Sequence, residues 1–248
     1  MNVFWLEQTE ADLPATDEWL SARETRLLSA MRFPKRRADW RLGRWTAKHA
    51  LSVCLGLPSD PGTLCTVEVL AAPSGQPEAF VRGRPAQASL SLSHRAEVAF
   101  CTVAQAGIEL GCDIEIVEPR SDAFATDYFS TEEQELISAT AARDRPLVLN
   151  VLWSAKESAA KALHEGLRID TRSLDVRLES SPQVSGFWFP LRVYYRTDTR
   201  FQGCWSRTGN IIRTVVAAVP SLHPMSLAVA SNLSGSDVDI ACTREPLP

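Results

Sequence analysis

Three groups of residues carry types and spacings suited to chemistry. The first is acidic. Asp113 and Glu115 stand two apart in a stretch, Ile108 to Val117, that alternates apolar and polar residues. In a strand that spacing turns both carboxylates to one face, and Glu109 shares it. Like charges in a row with nothing basic between them repel, and a hard divalent cation held through oxygen would relieve the repulsion. The plain alternative is the wet face of an ordinary strand. The second group is the run from Trp153 to Lys161. Val148, Leu152, Ala155, Ala159 and Leu163 recur at helical spacing, which leaves Trp153, Glu157 and Lys161 on the opposite side. Glu157 and Lys161 are an i,i+4 pair, in most helices only a solvated ion pair. A tryptophan beside them argues for a covered face or a cleft, where a carboxylate and an ammonium suit metal binding or acid–base work.

The third group is basic. Arg37, Arg41, Arg44 and Lys48 fall at i, i+4, i+7 and i+11 of a helix that Pro34 can open and Gly56 can close. From Arg23 to Lys48 there are nine basic residues against two acidic ones, Glu24 and Asp39, in a chain whose net charge is -4. Such a stripe suits phosphate groups or an acidic partner, with a solvated helix face as the plain alternative. His94 directly follows the alternating strand Ser89 to Ser93. A single histidine there is by itself a structural feature.

The elements that must position these residues follow from pattern. Val3 to Leu6 reads as a strand and Thr16 to Met31 as a helix. Strands are expected at Cys65 to Leu70, Ser89 to Ser93, Glu97 to Ala104 and Ile108 to Val117. Ser130 and Glu133 spell a capping box at the start of one helix, and Pro146 opens another that runs to about His164. Leu191 to Tyr195 and Ile211 to Val219 return to strand character. This order indicates an α+β fold rather than a regular βαβ alternation. No close internal repeat stands out, and the polar residues after Ser231 read as a flexible tail.

Composition narrows the class. The net charge of -4 argues against a nucleic-acid binder. Cys54, Cys65, Cys101, Cys112, Cys204 and Cys242 form no C-x-x-C pair, so reduced thiols in a reducing compartment are expected. The N-terminus lacks a basic region followed by an apolar run, and no stretch reaches the ~20 apolar residues of a membrane helix. A cytoplasmic protein with no membrane contact is the expectation.

Taken together, these segments resemble the 4′-phosphopantetheinyl transferases of the larger, monomeric, surfactin-synthetase-activating type. Gly111-Cys112-Asp113-Ile114-Glu115 is similar to that family's Gly-Ile-Asp-x-Glu motif. Trp153-Ser154-Ala155-Lys156-Glu157-Ser158-Ala159-Ala160-Lys161 is similar to its Trp-x-x-Lys-Glu-(Ala/Ser)-x-x-Lys motif. Ser91 to His94, Arg41-Leu42-Gly43-Arg44 and Phe129-Ser130-x-x-Glu133 resemble further segments, in order, from about Met31 to about Asp170. Cys112 stands where Ile or Val is usual, and Arg95 where a small hydroxyl residue is usual.

The resemblance implies two similar α+β halves packed as a pseudo-dimer with coenzyme A in the cleft between them. Residues 1–106 would form the N-terminal half, 107–230 the C-terminal half and 231–248 the tail. It implies magnesium held by Asp113, Glu115 and Glu157, catalysis by Glu157 and Lys161, and coenzyme A contacts from Arg41, Arg44, Lys48, His94 and Lys156. The partner would be an apo acyl or peptidyl carrier protein, an acidic helical bundle, docking near the helices between Phe124 and Ala141. A metal-dependent phosphodiesterase or nuclease, and a non-catalytic nucleotide-binding protein, are the competing readings of the same residues.

Overall fold

The computed structural model describes residues 2–164, 169–179, 188–195 and 198–227, without the side chains of 198–200. The expected tail, residues 231–248, lies outside the described residues. The chain opens with strand β1 (Val3–Thr9), then helices α1 (Ala22–Ser29), α2 (Pro34–Leu55) and the one-turn α3 (Pro61–Leu64). Strands β2 (Val67–Ala71), β3 (Pro77–Val81), β4 (Arg84–Pro85), β5 (Ala88–Arg95) and β6 (Val98–Gln105) follow. After β7 (Leu110–Ile116) come α4 (Asp122–Tyr128), α5 (Thr131–Ala139) and α6 (Arg145–Ala162). Strands β8 (Leu174–Leu178), β9 (Phe189–Tyr195), β10 (Asp198–Thr208), β11 (Ile211–Ala217) and β12 (Pro224–Ser226) complete the described chain. The α+β class expected from the sequence is the class observed.

Among the described residues the strands form three sheets, ordered β12-β1-β6-β5, β7-β11-β10-β9-β8 and β2-β3-β4. The long helix α2 covers the first sheet through Ala47, Ala50 and Leu51, which pack with Leu90, Cys101 and Val103. The long helix α6 covers the second through Leu152, Ala155 and Ala159, which pack with Leu174, Val193 and Val216. A further core joins the two sheets: Val3 and Phe100 from the first meet Cys112, Ile114 and Val215 from the second.

Helix α1 is shorter than the expected Thr16 to Met31. Ser21 caps it instead, accepting from the Glu24 amide while the Glu24 carboxylate accepts from the Ser21 amide. That box halts the helix upstream and lets Trp19 and Leu20 turn into the core.

A repeat that the sequence reading missed is explicit in the hydrogen bonds. In the first half, Glu24 of the α1 box binds Lys48 of α2 at 2.5 Å and accepts from the Val69 amide of β2. In the second, Glu133 of the α5 box binds Lys156 of α6 at 2.7 Å and accepts from the Val176 amide of β8. Each ammonium also donates to two backbone carbonyls, of Trp19 and Leu64 in one case and of Thr171 and Leu174 in the other. The sequence trace is four residues long: Trp45-Thr46-Ala47-Lys48 against Trp153-Ser154-Ala155-Lys156.

Candidate active site

Strand β7 is where the acids are set. Leu110, Cys112 and Ile114 enter the shared core, so period-2 alternation turns Gly111, Asp113 and Glu115 the other way, toward α6. Gly111 makes that approach possible. A Cβ there would stand 1.8 Å from the Ser158 carbonyl oxygen of α6, closer than any real side chain allows. The glycine of the motif is therefore the contact point between strand and helix.

Asp113 is buried and fully engaged. Its Oδ1 accepts from Ser93 Oγ at 2.8 Å and from Lys161 Nζ at 2.9 Å, and its Oδ2 accepts from Ser154 Oγ at 2.8 Å. Ser93 lies near the end of β5, whereas Lys161 and Ser154 belong to α6, so both halves of the chain hold one carboxylate. Lys161 reaches across to Asp113 and to the Cys112 carbonyl, rather than serving only as the i,i+4 partner of Glu157. Burial, the largest single influence, works against its charge, but the Asp113 charge and hydrogen bond together with its other neighbours, Cys112 and Glu157, outweigh burial and hold the ammonium above the usual lysine range.

Glu115 and Glu157 complete the cluster electrostatically. Burial first, then the neighbouring Asp113 charge, pushes the Glu115 carboxyl above the usual range, against the pull of Arg95 and Arg120. The same causes, with Glu115 as a further repulsive neighbour, push Glu157 up. Glu115 Oε2 is buried and makes no hydrogen bond among the described residues, only the longer ion-pair contacts to Arg95 at 3.4 Å and Arg120 at 3.8 Å. Arg95, one of the two departures from the motifs that the sequence resembles, thus faces the acids and also Glu118.

Trp153 is covered, as its place beside Glu157 suggested. Phe124 and Tyr128 of α4 pack on it edge-to-face, with ring centroids 5.0 and 5.1 Å away. A cavity of ≈ 250 Å³ opens next to Lys161 and is walled by Gly75, Gln76 and Leu92 on one side and Leu110 and His164 on the other. A second, of ≈ 460 Å³, meets it at Leu92 and is lined by Lys35, Arg36, Arg44 and His94.

The basic stripe corrects the sequence reading. Lys48 and Lys156, both expected at coenzyme A, have 0% exposed side chains and are spent on Glu24 and Glu133. Arg41 ties Asp17 and the Pro14 carbonyl to α2, and Arg37 holds the Leu28 carbonyl. Arg44 donates to the Val69 carbonyl while stacking on Trp40, yet it still borders the larger cavity. His94 is half-exposed, 3.8 Å from Asp39. Sequence reasoning missed Ser154, Ser158, Thr214 and Arg120 as neighbours of the acids. Their signal was three small hydroxyls at positions facing β7, which spacing alone does not separate from packing residues.

Among the described residues, no three His, Cys, Asp or Glu side chains already enclose a metal position. The donor chemistry nonetheless fits a hard divalent cation: three carboxylates, of which Glu115 and Glu157 are pushed up by burial and by the Asp113 charge, and Glu115 has a buried oxygen lacking a hydrogen bond among the described residues. No curated protein matches the chain. Residues 109–219, from just before β7 through the end of β11, match the model of the 4′-phosphopantetheinyl transferase superfamily. That segment contains Asp113, Glu115, Glu157 and Lys161, so the acids and the lysine of the site lie within the part of the chain that is similar to the 4′-phosphopantetheinyl transferase superfamily.

Proposed function

We propose that the protein transfers the 4′-phosphopantetheine group of coenzyme A to a serine of an apo acyl or peptidyl carrier protein and releases 3′,5′-adenosine bisphosphate. It would act as a cytoplasmic monomer of the surfactin-synthetase-activating type, its two halves forming a pseudo-dimer about the coenzyme A cleft. The observation that carries the reading is Asp113, bonded by Ser93 from one half and by Lys161 and Ser154 from the other, beside a cavity walled by both. A diphosphate lying along that seam meets Lys161 at one end, with Arg44 and His94 bordering the neighbouring cavity.

Asp113, Glu115 and Glu157 would hold magnesium. When bound, the ion supplies the positive charge that lets a diphosphate approach three carboxylates. Glu157 is suited to take the proton of the carrier serine, because its surroundings raise its basicity. Lys161, kept charged by Asp113, is suited to neutralise the departing phosphate. Arg41 and Arg44 steady the N-terminal wall of the cleft through the Pro14 and Val69 carbonyls.

The test is mass spectrometry of a panel of apo acyl and peptidyl carrier proteins after incubation with coenzyme A and magnesium. Addition of the phosphopantetheine mass to a serine is expected, and Asp113→Ala should lower the rate by about 10²–10⁴. No modification of any carrier, or magnesium-dependent cleavage of DNA in its place, would overturn the assignment.

A further inference from the structure

Behind Asp113 lies a line of hydroxyls that the proposed reaction does not use directly. Ser154 and Ser158 are one turn apart on α6, and Thr214 faces them from β11, directly across the ladder from Asp113. All three hydroxyl-bearing residues are 0% exposed. Ser154 Oγ lies 2.9 Å from Thr214 Oγ1, Ser158 Oγ lies 2.7 Å from Thr214 Oγ1, and Thr214 Oγ1 is also 2.9 Å from the Ser154 carbonyl oxygen.

Counting hydrogens gives this line a direction. A hydroxyl has one hydrogen and a carboxylate has none. The Ser154 hydrogen goes to Asp113 Oδ2, 2.8 Å away, so toward Thr214 the Ser154 oxygen can only accept. The Thr214 hydrogen then points at the Ser154 oxygens, hydroxyl and carbonyl, and toward Ser158 Thr214 can only accept. Ser158 therefore donates to Thr214. The Thr214 hydrogen is shared with the Ser154 carbonyl and the Ser158 hydroxyl also lies 3.4 Å from the Thr214 carbonyl, but no hydroxyl in the line can donate in the reverse direction, and a one-way chain of this kind polarises its bonds in turn. It joins α6 and β11 at the carboxylate, while Ser93 anchors the other oxygen from β5.

We propose that Ser154, Thr214 and Ser158 are positioning residues that fix the Asp113 carboxylate for the divalent cation, with Thr214 and Ser158 acting through Ser154. This rests on the transferase reading of the site. Partners that orient a metal-binding group typically govern affinity by about 10–100-fold. The experiment measures Mn²⁺ binding, by calorimetry and by paramagnetic resonance, in the presence of coenzyme A, with thermal stability followed in parallel.

The expected result is that Ser154→Ala weakens Mn²⁺ binding by about 10–100-fold. Thr214→Val should do so by a smaller factor, and Thr214→Ser, which keeps the hydroxyl, should bind within about two-fold of wild type. If Ser154→Ala does not fold, the contrast between Thr214→Val and Thr214→Ser decides. Stability loss with unchanged Mn²⁺ affinity in Ser154→Ala and Thr214→Val would overturn the proposal and leave the three as packing residues. Wild-type protein that binds no Mn²⁺ with coenzyme A would instead remove the transferase reading on which the proposal stands.

Discussion

At the scale of single residues, the two buried lysines set the strongest energetic constraint. Burial holds the Lys156 ammonium below and the Glu133 carboxyl above their ordinary ranges, so each ion depends on the other. Lys156→Met should destabilise the fold by ~3–5 kcal/mol, since it strands a buried carboxylate, whereas Lys156→Met with Glu133→Leu should recover most of the loss. Urea unfolding of the three proteins checks this. His49 gives a pH signature. Burial holds its imidazole below the usual range, and the Trp45 carbonyl offsets this only in part. On acidification the unfolded chain takes up the proton first, near its ordinary value of about 6.5, and the folded protein later. Stability therefore falls as pH drops through that window, by at most ~1.4 kcal/mol per pH unit for one proton. Melting curves of His49→Asn between pH 7.5 and 5 should show a flatter dependence than wild type. The acids were legible in the sequence because a strand period and a helix period each put them on one face. The lysines were not. The middle of α2 is buried on all sides, from Trp45 to Ser52, and there charge spacing no longer says which face meets water.

At the scale of elements, two local geometries govern the site. The approach of α6 to β7 is set by Gly111, and a methyl group would strike the backbone carbonyl of Ser158, which cannot swing aside as a side-chain tip can. Gly111→Ala should cost more than the ~1–3 kcal/mol typical of overpacking and displace Glu157 from the acids. Denaturant melts and loss of transfer would show both. The hairpin between β5 and β6 turns on Ala96 and Glu97, whose φ values of 51° and 63° are left-handed without a glycine. That turn prefers Asn-Gly, and it sits one residue beyond Arg95, which faces Glu115. Ala96→Asn with Glu97→Gly should raise stability by about 1 kcal/mol, read as a higher melting temperature. Helix and strand locations were largely readable from periodicity and capping signals, most clearly the Ser130–Glu133 box that opens α5. The start of α1 was not, because the Ser21–Glu24 box competes with an acidic run that reads as helical.

At the scale of the whole molecule, the repeated Glu–Lys device shows how one scaffold yields a single cluster of acids. Counting from the shared lysine, the positions of Glu157 and Lys161 on α6 are occupied on α2 by His49 and Val53. Three identical residues and a Thr/Ser pair were too few to betray the repeat in sequence, since its identity lies in hydrogen bonds to backbone carbonyls. The two halves are also joined beyond the acids. Glu7 of β1 pairs with Arg213 of β11, and Val3, Phe100, Cys112 and Val215 share one core.

One strand has a practical consequence. β12 follows β11 in the chain, yet it lies parallel to β1 at the margin of the other half's sheet, with Val3 beside Pro224. A single proteolytic nick at the Ala106–Gly107 turn would therefore not release two bodies. The later fragment would keep hold of the earlier one through that borrowed edge, and the two pieces, co-expressed as 1–106 and 107–248, should co-purify and reconstitute the site. Recovery of each piece alone as a folded monomer would show the strand exchange to be dispensable.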